Sequence, residues 1–239
     1  MQDTDADWSI WGEGEPYYGV LSQPEYLREN LTKETLAQFW QTGINDVAGW
    51  YTLLKTHYGD FSTATGLDFG CGVGRLTHGM AAICQHVVGL DISPGMIAEA
   101  KRNPPENAEF LLKLDDQTFD WINSVIVFQH IPPQRGYVIF DDLLARVNAG
   151  GAISLHFTTH KDASFLPHVF GAVTSGRWDG ENLVIFDQTK PGEGAMMMYD
   201  YDLGRLYEIA TRHGFHNILM QHTNHGGCHG AILFGRKGR

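Results

Sequence analysis

Leu67-Asp68-Phe69-Gly70-Cys71-Gly72-Val73-Gly74-Arg75-Leu76 decides how the chain is read. A short apolar run, Thr65 to Phe69, leads into three glycines at alternate positions and then into a helical pattern, Arg75 to Cys84. Glycine at a strand-to-helix turn lets the backbone bend tightly and lets a ligand approach main-chain atoms that a side chain would block. The next apolar run, Val87 to Leu90, ends at Asp91, 21 residues beyond Gly70. In nucleotide sites built this way, an acidic residue ~20 positions on meets the ribose hydroxyls. The bland alternative is a plain tight turn beside a plain strand-end aspartate, and the two features occurring together in this order argue against it.

Outward from this stretch the same alternation continues. Strands are expected at Ala108 to Leu112, Trp121 to Phe128 and Ala152 to Phe157, with helices at Pro94 to Arg102 and Pro133 to Val147. Pro133 suits a first helical turn, and Gly150-Gly151 closes that helix. Strands separated by helices of this length require right-handed crossovers and give a parallel sheet covered on both faces. Upstream, an aromatic, Gly- and Pro-rich lead from Trp8 to Leu21 precedes two helical patterns, Leu27 to Trp40 closing at Gly43 and Ile44 to Tyr58 closing at Gly59. Downstream, Thr158 to Asp200 is too long for an ordinary connection and reads as functional or a lid. A helix at Asp202 to His213 follows. Strands at Asn217 to Gln221 and Ala231 to Phe234 are then joined by His222 to His229, short enough for an antiparallel hairpin. The expected organisation is a helical cap over residues 1–63 and an α/β core over 64–239, with a substrate-covering insertion at 158–200.

Composition narrows the class. Of 239 residues 43% are hydrophobic and 19% charged, enough for a packed core and unlike a disordered chain. Lys+Arg 17 against Asp+Glu 28 gives a net charge of −11, which disfavours nucleic acid as a partner. No apolar stretch reaches the ~18 residues of a membrane span, and the acidic start Met1-Gln2-Asp3-Thr4-Asp5 is unlike a signal peptide, so a cytoplasmic location is expected. Cys71, Cys84 and Cys228 form no CxxC pair and fit a reducing compartment. Nothing in the sequence indicates the oligomeric state.

The glycine spacing is G-x-G-x-G, and neither reading frame supplies the G-x-G-x-x-G of a dinucleotide site. Here the chain resembles the class I S-adenosylmethionine-dependent methyltransferases. The likeness extends to Val88-Gly89-Leu90-Asp91-Ile92-Ser93-Pro94-Gly95-Met96, to Phe119-Asp120-Trp121-Ile122 leading into Phe128-Gln129-His130-Ile131-Pro132, and to the Gly150-Gly151 step. It implies a Rossmann-like, seven-stranded, mostly parallel sheet with an antiparallel last strand, and S-adenosylmethionine as cofactor. By the resemblance, Gly70, Cys71 and Gly72 lie against the methionine end of the cofactor, Asp91 holds the ribose, and Ile92 and Met96 pack on adenine. It also makes Arg75, Leu112 and Phe128 candidates for the cofactor wall. Tyr17 and Tyr18 are candidates to fold over it, or else ordinary packing aromatics. The family's acidic residue after the third strand has no clear counterpart in Phe110-Leu111-Leu112-Lys113-Leu114-Asp115-Asp116, leaving the backbone near Leu112 or the Asp115 carboxylate for the adenine amino group.

Ligands of open parallel sheets bind beyond the carboxyl ends of the strands. That rule brings His130, His156, His160, His222, His225 and His229 to the cofactor face or its rim. Histidine is the natural base for an acceptor hydroxyl, which makes His130, His225 and His156 the catalytic candidates, against the alternative of hydrogen-bonded structural histidines. Lys161, His168, Arg177, Trp178 and Met196-Met197-Met198-Tyr199 of the insertion are placed to cover the acceptor. A metal held by His222, His225 and His229 is disfavoured, because a tight hairpin seldom aims three side chains at one point. A weaker resemblance, to methyltransferases of bacterial glycans and natural products, points to a hydroxyl of a small sugar or natural-product-like acceptor. The rivals are an N-methyltransferase of a small amine, a nicotinamide-dependent oxidoreductase, and a non-catalytic nucleoside-binding module.

Overall fold

The computed structural model describes residues 4–162, 164–165, 174–178, 183–187 and 195–238. The N-terminal lead folds as two helices, α1 (Thr4–Gly14) and α2 (Pro16–Val20), and a long helix α3 (Lys33–Tyr58) follows. Thr32 and Thr35 cap α3 reciprocally. Thr32 Oγ1 accepts the Thr35 amide at 3.2 Å, and Thr35 Oγ1 accepts the Thr32 amide at 2.8 Å. The two helices expected on either side of Gly43 are therefore one. Gly43 does not end α3; it is buried against the α4 terminus, where a Cβ would collide with the Arg75 carbonyl oxygen. Close helix packing, not a helix stop, requires glycine there.

Alternating strands and helices then build the core: β1 (Thr65–Phe69), α4 (Arg75–Ala81), β2 (His86–Leu90), α5 (Pro94–Ala100), β3 (Ala108–Leu111), β4 (Phe119–Ser124), α6 (Pro133–Ala145) and β5 (Val147–Lys161). After β5 come β6 (Thr174–Trp178), β7 (Leu183–Asp187), β8 (Ala195–Met198), α7 (Leu203–Arg212), β9 (Ile218–His225) and β10 (Cys228–Arg236). Seven strands form one sheet in the order β3-β2-β1-β4-β5-β10-β9. The first five pair in parallel, and β10 runs antiparallel to both neighbours. The expected Rossmann-like sheet with an antiparallel last strand is present. Strand alternation sends Trp121, Ile232 and Phe234 to the face covered by α3 and α4, while Ile122, Ile153, Leu155 and Leu233 pack toward α6 and α7. Each such side chain buried contributes about 1.5–3 kcal/mol of transfer free energy.

Three boundaries differ from expectation. β4 ends at Ser124, and Phe128 to His130 form a separate 3-10 turn. β5 starts at Val147 and continues to Lys161, because β10 pairs with it from Ala152 to Lys161. The hairpin turn is only Gly226-Gly227, at φ +63° and +90°, so His222 and His225 lie on β9 and His229 on β10. β9 is an edge strand with largely exposed side chains, and its polar sequence gave no apolar period to read. Within 158–200, β6, β7 and β8 form a separate antiparallel sheet, with Arg177 and Trp178 on β6; His168 lies outside the described residues. No helix among the described residues is long and apolar enough to cross a membrane.

Candidate active site

β1 ends at the glycine loop, where Gly70 and Gly72 have φ of +72° and +55°, values that L side chains rarely adopt. A Cβ at Gly70 would collide with Val127, and one at Gly72 would lie 2.5 Å from Val20 Cγ2. The amides of Gly70 and Cys71 both donate to the Leu90 carbonyl, at 2.7 and 3.0 Å, tying the loop to the end of β2. Asp91 completes the joint. Its Oδ2 accepts the Gly72 amide at 2.8 Å and its Oδ1 the Ser93 amide at 2.9 Å. Burial pushes the Asp91 carboxyl up from its ordinary value, opposed by amide donors at Ser93, Gly72 and Ile92. A carboxylate offers about four lone-pair positions, so accepting capacity remains for a ribose hydroxyl.

A cleft of about 1170 Å³, counted with its open mouth, runs over these strand ends. Gly70, Cys71, Gly72, Asp91, Ile92, Met96 and Leu112 line one half, and α2 closes it with Gly19 and Val20. Ile92 and Leu112 are 49% and 43% exposed, apolar side chains left uncovered on the rim beside Asp91. They and the buried Met96 form an apolar slot of the kind that takes a purine ring. The backbone cradle, carboxylate and slot together fit the parts of S-adenosylmethionine.

The other half of the cleft is lined by Trp8, Ile126, His130, Ile131, Arg135 and Ile139. His130 is buried on the 3-10 turn, its Nε2 3.0 Å from the Gln129 side-chain amide and its ring 4.8 Å from that of Trp8, edge to face. Ile126 has φ +61°, the sole positive value of a non-glycine among the described residues, and a costly one for a β-branched side chain. At the floor, Asp68 accepts from Thr77 at 2.7 Å and from Asn123 at 3.1 Å, and the chain continues through Ser154 to the Trp121 indole. Burial raises the Asp68 carboxyl to about 6.

Arg75 lies along the cleft, but its guanidinium turns to α3, bonding Asp46 at 2.7 Å and Thr42 at 3.1 Å. Several other candidates stand off the cleft. Phe128 is fully buried behind the wall, among Phe69, Phe140, Phe157 and Tyr201. Tyr17 bonds Glu99 and packs on Phe39, and Tyr18 packs on Trp11; neither lines the cleft, although their segment does. His156 is fully buried, accepting the Ile126 amide at Nδ1 and meeting Thr223 Oγ1 at Nε2, at 3.4 and 2.9 Å; burial holds its pKa down at about 3. His225 lies beside it, with ring centroids 5.6 Å apart, and burial lowers its pKa as well. Neither histidine reaches the cleft wall. His222, His229 and Asp162 form a hydrogen-bonded row elsewhere, with His160 stacked on His229. Trp8, Ile126 and Arg135, unassigned from the sequence, do line the cleft. Only the aromatic lead gave any signal for Trp8.

Residues 67–154 match the model of the methyltransferase domain family. The chain is 28% identical over 118 residues to the ubiquinone biosynthesis O-methyltransferase of Paraburkholderia xenovorans (strain LB400), covering 45% of this chain; it spans about half the length of that relative. Its fold is similar to that of the magnesium protoporphyrin IX methyltransferase of Synechocystis PCC 6803 with bound S-adenosylmethionine, at TM-score 0.62, 16% identity and 99% and 98% coverage of the two chains. It is also similar to an amino pentose methyltransferase of Micromonospora echinaspora, at TM-score 0.56, 15% identity and 87% and 98% coverage. The matched stretch runs from β1 into β5, and the chain shares the Rossmann-like fold of these S-adenosylmethionine-binding methyltransferases.

Proposed function

We propose that this chain is an S-adenosylmethionine-dependent methyltransferase that methylates a hydroxyl of a small acceptor of the sugar or natural-product kind, with His130 as the base. The observation that carries the reading is that His130 shares one cleft with the glycine loop and Asp91. When bound, S-adenosylmethionine supplies an electrophilic methyl group on a sulfonium. The protein's part is to align, to exclude water and to manage one proton. Asp91 holds the ribose, the glycine loop admits the cofactor to backbone contact, and Ile92, Met96 and Leu112 enclose the adenine. The Gln129 side-chain amide beside His130 Nε2 can donate to the neutral ring or, flipped, accept from the imidazolium. Residues 1–63 act as a cap on the core of 64–239. The segment 158–200 covers the acceptor, a role supported by β8 lying against both α1 and the turn that carries His130.

The test is calorimetric titration with S-adenosylmethionine and with NAD, followed by incubation of methyl-labelled cofactor with phenols, sugars and amines. Tight S-adenosylmethionine binding and label on hydroxyl acceptors are expected. Preferential NAD binding would overturn the cofactor assignment, and label on amines alone would move the reading to N-methylation.

A further inference from the structure

The acceptor half of the cleft has an uneven chemistry. Its walls are Trp8, Val125, Ile126, Ile131 and Ile139, and its ionic groups beyond His130 are Asp5 of α1 and Arg135 of α6. A sugar needs a donor or acceptor for nearly every hydroxyl it buries, and branched aliphatic walls supply none. An apolar ring, by contrast, gains from these aliphatic walls and from the indole of Trp8.

Arg135 Nη1 lies 2.7 Å from Asp5 Oδ1, and the two side chains are 47% and 38% exposed, so the pair sits in water at the mouth. An ion pair so exposed contributes little, and an incoming anion can exchange with Asp5 for the planar guanidinium fork. The setting makes the cation meaningful. The chain carries −11 overall, and of the two arginines along the described cleft wall, Arg75 is committed to Asp46. The Asp5 carboxylate itself shows that an anion is held at Arg135.

Resting on the methyltransferase reading, we propose that the acceptor is an apolar, ring-bearing molecule with an anionic substituent. The ring lies between Trp8 and the Ile126, Ile131 and Ile139 side chains, and the anion is taken by Arg135 in competition with Asp5. This selects the natural-product side of the acceptor class over a bare sugar.

The experiment uses the full chain saturated with S-adenosylhomocysteine and titrates three probes, 1-naphthoate, 1-naphthol and methyl glucoside. Naphthoate is expected to bind best and glucoside not at all. R135Q should weaken naphthoate about tenfold or more while leaving naphthol within about twofold, and D5N should tighten naphthoate. W8A should weaken both aromatic probes. Glucoside binding better than naphthoate, no naphthoate binding, or an R135Q response equal for both aromatic probes would overturn the proposal. Titration with S-adenosylhomocysteine alone separates the two levels. Its failure removes the methyltransferase reading, whereas intact cofactor binding with the wrong probe order removes only the acceptor class. R135Q and D5N change half-exposed side chains, and parent-like S-adenosylhomocysteine affinity verifies the folding of all three variants.

Discussion

His156 Nδ1 accepts the amide hydrogen of Ile126 at 3.4 Å, holding from behind a β-branched residue whose φ is +61°. A buried imidazole with Thr223 at its other nitrogen has no water to replace either partner. His156→Phe should therefore destabilise the fold by about 1–3 kcal/mol through an orphaned Ile126 amide, and His156→Asn, which keeps an acceptor, by less. Acid adds a signature. A folded-state pKa of about 3 lies below the ~6.5 of an unfolded histidine, so protons bind the unfolded chain first. The contribution is complete above about pH 6.5 and is lost as pH falls toward 3, at up to ~1.4 kcal/mol per unit. Urea unfolding of parent and His156→Asn across this range should show a steeper loss toward acid in the parent, and the difference between the two curves isolates His156, because Asp68 and other carboxylates titrating there cancel in it. Equal slopes would show that His156 is not held neutral.

Asp91 joins the glycine loop to β2 through the Gly72 amide and faces the cleft with its remaining lone pairs. Asp91→Ala should weaken S-adenosylmethionine binding by about 1.5–3 kcal/mol per charged hydrogen bond lost. The carboxylate is the accepting form and burial raises its pKa, so affinity falls on acidification earlier than for an ordinary aspartate. Calorimetry from pH 8 to about 5 would read both effects. An unchanged dissociation constant in the folded variant contradicts the assignment.

Arg75 belongs to the α3–α4 contact, its side chain 7% exposed and paired to Asp46. Arg75→Ala should cost about 1.5–3 kcal/mol in denaturant unfolding, the value of hydrogen bonds to a charged group. The affinity for S-adenosylmethionine should stay near that of the parent. A large loss of affinity without a loss of stability would return Arg75 to the cofactor wall.

For His130, removal of the base should lower kcat on a hydroxyl acceptor by ~10²–10⁴-fold with cofactor affinity nearly constant. His156→Ala and His225→Ala, away from the cleft wall, should act mainly on stability. Ranking the three variants by kcat under saturating cofactor checks this, and parent-like turnover by a folded His130→Ala would sink the base assignment.

The fold and the cofactor half of the cleft were legible because their signals are local. The G-x-G-x-G turn, Asp91 at the end of the next strand and the alternation of apolar runs with helices each span few residues, and backbone sterics and strand periodicity fix what each can form. Gly70, Cys71, Gly72, Asp91, Ile92, Met96 and Leu112 accordingly gather along one cleft at the strand ends. Which side chains face the acceptor was settled by packing between distant segments. Arg75 and Arg135 are the same residue type, yet Asp46 on α3 draws one guanidinium away while Asp5 on α1 holds the other at the cleft mouth. The sequence brings both His130 and His156 toward the strand ends, but His156 lies within β5, where a buried amide and Thr223 occupy it, and of the two only His130 reaches the cleft. Sequence determined the sheet and the nucleotide loop because those depend on neighbouring residues; tertiary structure alone decided the acceptor wall, because a side chain's partner there lies many residues away.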